Sequence, residues 1–146
     1  MIRTVLNCML MVAIMLGMTA CKADPPEQRL RQTIAAMQEA VEAGRPRDFM
    51  ASVAPDFVGN EGLDHAGLHN LLKAQLLLNS KVAIQTGPVS VDVQGEVASV
   101  RFSVLLAGGN RGLLPERGQM QEVVSGWREQ DGQWQLYSAS WEPVGR

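Results

Sequence analysis

Val123-Val124-Ser125-Gly126-Trp127-Arg128 runs into Asp131-Gly132-Gln133-Trp134-Gln135-Leu136 and closes on Ser138-Ala139-Ser140-Trp141. Residues of different polarity alternate on both sides of Asp131-Gly132, the period of a half-buried strand. An Asp-Gly pair between two such runs is a strong hairpin signal, because both residues tolerate the positive φ of a tight turn. The stretch predicts two long antiparallel strands, Met120 to Gln130 and Trp134 to Glu142. On the second, Trp134 and Leu136 share one face, and Tyr137 and Trp141 share the other.

Working back along the chain, Ala107 to Gln119 contains Gly108, Gly109, Gly112, Gly118 and Pro115 and reads as a long exposed loop. Its glycines precede no helix that would bind a phosphate. Val97 to Leu106 is a further strand. Ala98, Val100, Phe102, Val104 and Leu106 form its core face, and Val97, Ser99, Arg101, Ser103 and Leu105 the opposite one. Gln94-Gly95-Glu96 turns the chain. Lys81 to Val93 is extended, with Gly87-Pro88 as an irregularity or bulge.

Before Ser80 the period is 3.6. Asp24-Pro25-Pro26-Glu27 suggests an N-cap, a proline at the first helical position and a capping-box Glu. Leu30, Ile34, Met37 and Val41 then form one helical face, and Gly44 ends it. A short second helix is expected from Pro46 to about Val53, with Phe49, Met50 and Val53 inward and Pro55 as its stop. Asp56-Phe57-Val58 reads as a short strand and Gly59-Asn60-Glu61-Gly62 as a turn. Asp64 caps a third helix whose broad stripe of Leu68, Leu71, Leu72, Gln75 and Leu76, widened by Leu77 and Leu78, predicts burial.

Helices first and antiparallel strands after argue an α+β fold. The N-terminal helices would pack on a strongly curved, mostly antiparallel sheet forming a cone with a cavity. A βαβ arrangement fails, because no helix falls between the last strands.

This layout resembles the nuclear transport factor 2-like fold, also called the cystatin-like α+β cone, which includes ketosteroid isomerase and polyketide cyclase-like enzymes. The resemblance rests on the helix ending at Gly44-Arg45-Pro46-Arg47-Asp48, on Ala54-Pro55-Asp56-Phe57-Val58, and on the hairpin quoted first. It spans roughly residues 26–143. It does not fix a function, since such cones host isomerases, dehydratases, cyclases and binding or assembly domains. Catalytic members place an Asp or His inside the cone, often with a Tyr or a second acid. In that reading Asp56 or His69 would be the base and Tyr137 a hydrogen-bond donor.

The start of the chain bears on location. Met1-Ile2-Arg3-Thr4 is a positive head, Val5 to Gly17 is apolar apart from Asn7, and Met18-Thr19-Ala20-Cys21 follows. This is the three-part layout of an export signal. It resembles the lipobox of bacterial lipoproteins, with Met18 where Leu is usual. The resemblance implies a signal peptide over 1–20, acylation of Cys21, and a short tether over 21–25. Lys22, being other than Asp, implies passage to the periplasmic face of the outer membrane. A cleaved signal releasing a soluble periplasmic protein and a retained membrane helix are the alternatives.

The chain has 146 residues and 13 Lys+Arg against 15 Asp+Glu, for a formal net charge of −2. No basic cluster is present to neutralise a phosphate backbone, so nucleic acid is not an expected partner. Of the two cysteines, Cys8 leaves with the signal and an acylated Cys21 cannot form a disulfide. There is no GxGxxG, P-loop, nucleophile elbow or Cys/His cluster, and no cofactor or metal is expected. His65 and His69 have the i, i+4 spacing of two ligands, with Asp64 or Glu61 as a third, but the rest of an H-E-x-x-H pattern is missing.

Arg101, between small serines, would line the cavity and bind an anionic ligand, or pair with Glu122 or Glu129 on a neighbouring strand. Trp127, Tyr137 and Trp141 are the other candidate ligand contacts, since large aromatics with polar handles suit a pocket or a dimer face. Val123, Ser125 and Trp127 beside Tyr137 and Trp141 could form a two-fold patch for a homodimer, unless the 107–119 loop covers them. The expected function is a tethered, non-catalytic domain binding a small hydrophobic or anionic ligand or a partner. The alternative is an isomerase, dehydratase or cyclase-like enzyme.

Overall fold

The computed structural model describes residues 23–78, 82–108 and 120–144. The expected signal over 1–20, Cys21, Lys22 and most of the glycine-rich loop lie outside the described residues. Among those described, no helix is long and apolar enough to cross a membrane.

Helix α1 spans Pro26–Glu42. Its N-cap position is Pro25, whose carbonyl accepts from Arg29 N at 3.0 Å. The expected Asp24 cap is therefore not formed, because the two prolines move the start one residue along. The Asp24 carboxylate accepts instead from Gln32 Nε2 at 3.1 Å, and Glu27 pairs with Arg31 at 2.9 Å. Leu30, Met37, Ala40 and Val41 are buried along one face. Gly44 ends the helix at φ +68°, with Arg45 N bonded to Ala40 O and Gly44 N to Val41 O. That paired closure needs a left-handed residue after the last turn, which glycine supplies without strain.

Helix α2 is only Pro46–Met50, and Val53 already opens strand β1, Val53–Val58. Val53 still points inward, but from a strand. Pro55 sits inside β1, where an edge position tolerates its missing N–H. A 3-10 turn, Asn60–Gly62, leads to helix α3, His65–Leu78, whose Gly67 N is bonded to Asp64 Oδ1 at 2.7 Å. The burial expected of α3 is not found. None of its residues is fully buried, and Leu71, Leu77 and Leu78 are exposed. The helix packs on the edge strand β1 and on α2 rather than across the sheet, so only part of its apolar surface has a partner.

Five strands follow: β2 Val82–Thr86, β3 Ser90–Gln94, β4 Val97–Gly108, β5 Met120–Gln130 and β6 Gln133–Pro143. The sheet order is β1-β6-β5-β4-β2, with β3 also on β4. All pairs are antiparallel except β1 with β6. Asp131 and Gly132 both have positive φ in the β5–β6 turn, as the hairpin signal requires.

Two bulges set the faces. Thr86 pairs with Val104 but Ser90 with Arg101, so one extra residue sits around Gly87-Pro88. Gly126 pairs with Ser138 but Trp127 with Leu136, so Tyr137 is an extra residue in β6. An extra residue reverses which side each later side chain takes. Trp134 and Leu136 point inward, and beyond the bulge Ala139 and Trp141 do so as well. The expectation that Tyr137 and Trp141 share a face therefore fails.

The core lies between α1 and the sheet and includes Leu30, Met37, Phe57, Val100, Trp127, Trp134 and Leu136. Trp127 is 4% exposed. Val123, Ser125, Trp127 and Trp141 line the cavity on the helix-covered side, whereas Tyr137 lies on the other face. Gly126 makes the second bulge sterically possible, because a Cβ there would meet Ser138 Oγ at 2.5 Å and Tyr137 Cζ at 2.8 Å. Gly126→Ala should cost about 1–2 kcal/mol, since a phenol ring and a hydroxyl must both move. The cost should fall in a Tyr137→Ala background, where only Ser138 has to turn. Urea denaturation of the two single variants and the double variant measures both effects.

Candidate functional site

The helix-covered face of the sheet is not completely filled. A cavity of about 270 Å³ lies between the helices and the strands. From the helices come Ile34, Met37 and Gln38 of α1, Phe49 of α2 and Leu68 of α3. The sheet supplies Phe57 of β1, Ile84 and Thr86 of β2, Phe102 and Val104 of β4, Val123, Ser125 and Trp127 of β5, and Leu136, Ala139 and Trp141 of β6. Val89 completes the wall. This volume is near the lower end of ligand pockets, roughly 300–1,000 Å³.

Strand parity explains the chemistry of the lining. Directly paired residues share a face, so Phe102 with Val123 and Val100 with Ser125 point the same way. Past the bulge, Val123 pairs with Trp141 and Ser125 with Ala139. Around the cavity apolar side chains gather inside and most of the intervening polar residues go outside, with Ser125 at the cavity and Glu129 at the hairpin end as inward exceptions. The polar lining residues are Gln38, Thr86 and Ser125, and no described lining residue carries an acid, a base or a thiol. Thr86 is exposed and Gln38 half-buried, which puts them at the mouth, while Ser125 is 5% exposed. The Ser125 hydroxyl accepts from Trp127 Nε1 at 2.9 Å and donates to Val100 O at 3.3 Å.

The candidate residues read from the sequence divide between the two faces. Trp127 and Trp141 line the cavity. The Trp141 backbone is held there by Asn60, whose Nδ2 donates to Trp141 O at 2.7 Å and whose Oδ1 accepts from Trp141 N at 3.2 Å. Arg101 is on the outer face, its side chain 65% exposed and 3.4 Å from Glu122. Of the alternatives set out above, the ion pair is the one formed, and Arg101 does not line the cavity. Glu129 pairs instead with Arg29, at 2.6 Å.

Asp56 and Tyr137 do come together, but outside. Arg128 grips both Asp56 carboxylate oxygens, with Nη1 at 2.9 Å from Oδ2 and Nη2 on Oδ1, and its guanidinium lies 5.7 Å from the centre of the Tyr137 ring. Neither residue is among the described residues that line the cavity, where the resemblance had placed them. His69 follows the lining residue Leu68 on α3 but does not itself line the cavity. Its Nε2 is buried with no hydrogen-bond partner among the described residues. No three His, Cys, Asp or Glu side chains converge as a metal site among the described residues. Cys21 lies outside them.

The sequence reading did not single out Phe57, Phe102, Leu136 or Ser125 as ligand contacts. Gly126 was the available signal, since a glycine inside a strand marks a bulge or a close approach. Once the bulge is placed, parity puts Ser125, Ala139 and Trp141 on one wall.

No protein-family model matches the chain, and no curated protein is similar to it in sequence. Solved structures do match. A candidate scytalone dehydratase from Novosphingobium aromaticivorans has a TM-score of 0.72 at 14% identity, over 82% of this chain and 84% of that one. An NTF2-like protein of unknown function from Pseudomonas putida has a TM-score of 0.68 at 19% identity, over 80% and 84%. A candidate dehydratase of the NTF2-like family from Streptomyces avermitilis has a TM-score of 0.69 at 17% identity, over 82% and 97%. At such identities the likeness is one of fold, and the fold is the NTF2-like, cystatin-like cone.

The bidentate Arg128 bond holds the Asp56 carboxyl below its ordinary value of 3.8. A depressed carboxyl stabilises the fold above its unfolded value and loses that contribution as pH falls through the folded one. Asp56→Asn should therefore lower the urea midpoint slightly at neutral pH. The gap from the parent should close as the pH is taken below 3.8, which midpoints measured at both ends of that range would check. The effect is small because the pair is exposed.

Proposed function

We propose that this chain is a lipid-anchored protein of the bacterial outer membrane, facing the periplasm, whose domain binds a small, neutral, apolar molecule without transforming it. The absence of any ionisable side chain among the described lining residues carries this reading. Acid–base work needs paired groups with separated pKa values at the reacting atoms. The described lining offers desolvation and shape, which suffice for binding. A carboxylate ligand would meet no cation among the described lining residues, at a large desolvation cost. Of the isomerase, dehydratase or cyclase alternative, the dehydratase draws support from how two structural neighbours are described.

The anchor and the pocket are compatible in space. The first turn of α1 is fastened to the β5–β6 hairpin. Trp134 Nε1 donates to Pro26 O at 3.0 Å, and Arg29 Nη1 reaches both Glu129 and Gly132 O. The exposed lining residue Thr86 pairs with Val104, and Val104 with Gln121, far along the strands from that turn. Strands rise roughly 3.3 Å per residue, which separates the two ends by roughly 30 Å. An acyl chain on Cys21, with so short a tether, would hold the hairpin end at the bilayer and turn the mouth of the pocket to the aqueous side. Two or more acyl chains give stable attachment, where one is marginal.

N-phenylnaphthylamine, a neutral apolar fluorophore, should bind the protein with enhanced emission. Ala139→Leu, which fills part of the cavity, should weaken that binding about tenfold or more. Equal binding by both proteins would reject the pocket as the site. Separately, the intact mass of the mature protein should show cleavage before Cys21 and added acyl chains, and Cys21→Ser should abolish both. An unmodified or uncleaved Cys21 would reject the anchor.

A further inference from the structure

We propose that Ser125 is a hydrogen-bond donor inside the pocket and that the ligand carries a neutral acceptor oxygen, such as a ketone, ester or lactone carbonyl, on an otherwise apolar body. The inference rests on the reading of the cavity as a ligand site and names the chemistry of what enters it. Among the described residues Ser125 is the only fully buried polar one. A hydroxyl facing an apolar cavity is unfavourable unless it is bonded, and an alanine would fit the site without that penalty.

The two bonds that Ser125 makes differ in quality. Trp127 Nε1–H donates to its oxygen at 2.9 Å, a good length that also uses the only donor of that indole. Its own hydrogen goes to Val100 O at 3.3 Å, beyond the usual range of roughly 2.5–3.0 Å for O–H···O bonds. The oxygen is thus fixed by a strong bond, while the hydrogen is held by a weak one. A hydroxyl that accepts a hydrogen bond becomes a better donor, so Trp127 primes Ser125 to donate. Turning the hydroxyl from Val100 O to a ligand oxygen moves one hydrogen and leaves the Trp127 bond intact. The Val100 carbonyl can also bond within the β4–β5 ladder. A ligand with a neutral acceptor gains a full bond. A hydrocarbon of the same shape gains none, and a carboxylate gains one bond but must bury a charge that no described lining residue compensates.

The test compares α-tetralone with tetralin, which have the same bicyclic frame with and without a carbonyl, and with naphthoate as the anion. Binding is read by calorimetry on the full-length chain in detergent, with a matched detergent blank. Wild-type protein should bind α-tetralone about three- to tenfold more tightly than tetralin, the contribution of one neutral hydrogen bond. Ser125→Ala should bring that ratio to about one, and Ser125→Thr should retain it. Trp127→Phe, which keeps a ring but removes the N–H, should lower the ratio part of the way. Tetralin binding with no preference for α-tetralone overturns the donor role alone. So does a ratio that survives in Ser125→Ala or a preference for naphthoate. If neither neutral compound binds, the pocket reading falls together with the donor. Should Ser125→Ala not fold, an undiminished ratio in Trp127→Phe overturns the proposal.

Discussion

Gly126 has no side chain, and the arrangement of the sheet's last third depends on that. Tyr137 occupies the space that a Cβ would take, and it can do so only as the extra residue of a bulge. A strand without the bulge would send Leu136 inward and Trp141 outward, because side chains alternate with period two. With it, Trp134, Leu136, Ala139 and Trp141 all reach the helix-covered side. One missing methyl group thus decides that the largest aromatic near the end of β6 forms a cavity wall. It also decides that the only tyrosine lies outside, beneath a guanidinium.

That parity separates two kinds of chemistry. The outer face holds exposed ion pairs, Asp56 with Arg128 and Arg101 with Glu122. Exposed pairs contribute little stability and serve mainly to keep the face wet. On the inner face no described residue lining the cavity is charged, and the Glu129–Arg29 pair on that side sits at the hairpin end, away from the lining. The packing of this face supplies the stability, and its incomplete filling supplies the cavity. A space lined by apolar side chains forgoes dispersion contacts that a filled core would have. Leaving it open therefore lowers stability, and an occupant would restore those contacts. Ser125 adds a second departure from a purely stabilising core.

Much of the fold was legible in the residues. The Asp131-Gly132 turn, the Gly44 stop, the Asp64 cap and the Gly87-Pro88 bulge each carry a local signal that survives whatever packs around it. The limits of α2 were misjudged because Pro55, read as a helix stop, is equally at home in an edge strand. The burial of α3 was overestimated because an apolar stripe states only that a helix can be buried. It does not say whether the partner is the middle of a sheet or its edge. The site was less legible than the fold. Trp127 and Trp141 were found, but Arg101, Asp56 and Tyr137 were assigned to the cavity by alternation or by resemblance, and all three lie outside it. The Tyr137 bulge carries no turn-forming residue of its own. Its only trace is the glycine on the neighbouring strand, visible as a signal once the register pairs the two.

The same separation bears on what the fold can do here. In a cone of this kind, chemistry requires a polar group to be carried inward against its desolvation cost, and each such group must be held by its neighbours. This chain carries one fully buried polar residue inward among those described, and holds it with an indole N–H and a backbone carbonyl rather than with an acid or a base. Activating such a serine as a nucleophile would need a base beside it, and no described lining residue is one. The serine can orient a ligand by a single bond while the surrounding aromatic and aliphatic walls supply the affinity. A site with one donor, apolar walls and a polar mouth discriminates by shape and by the presence of one acceptor. Holding a neutral molecule in one orientation, the role proposed above, asks for no more than these groups supply.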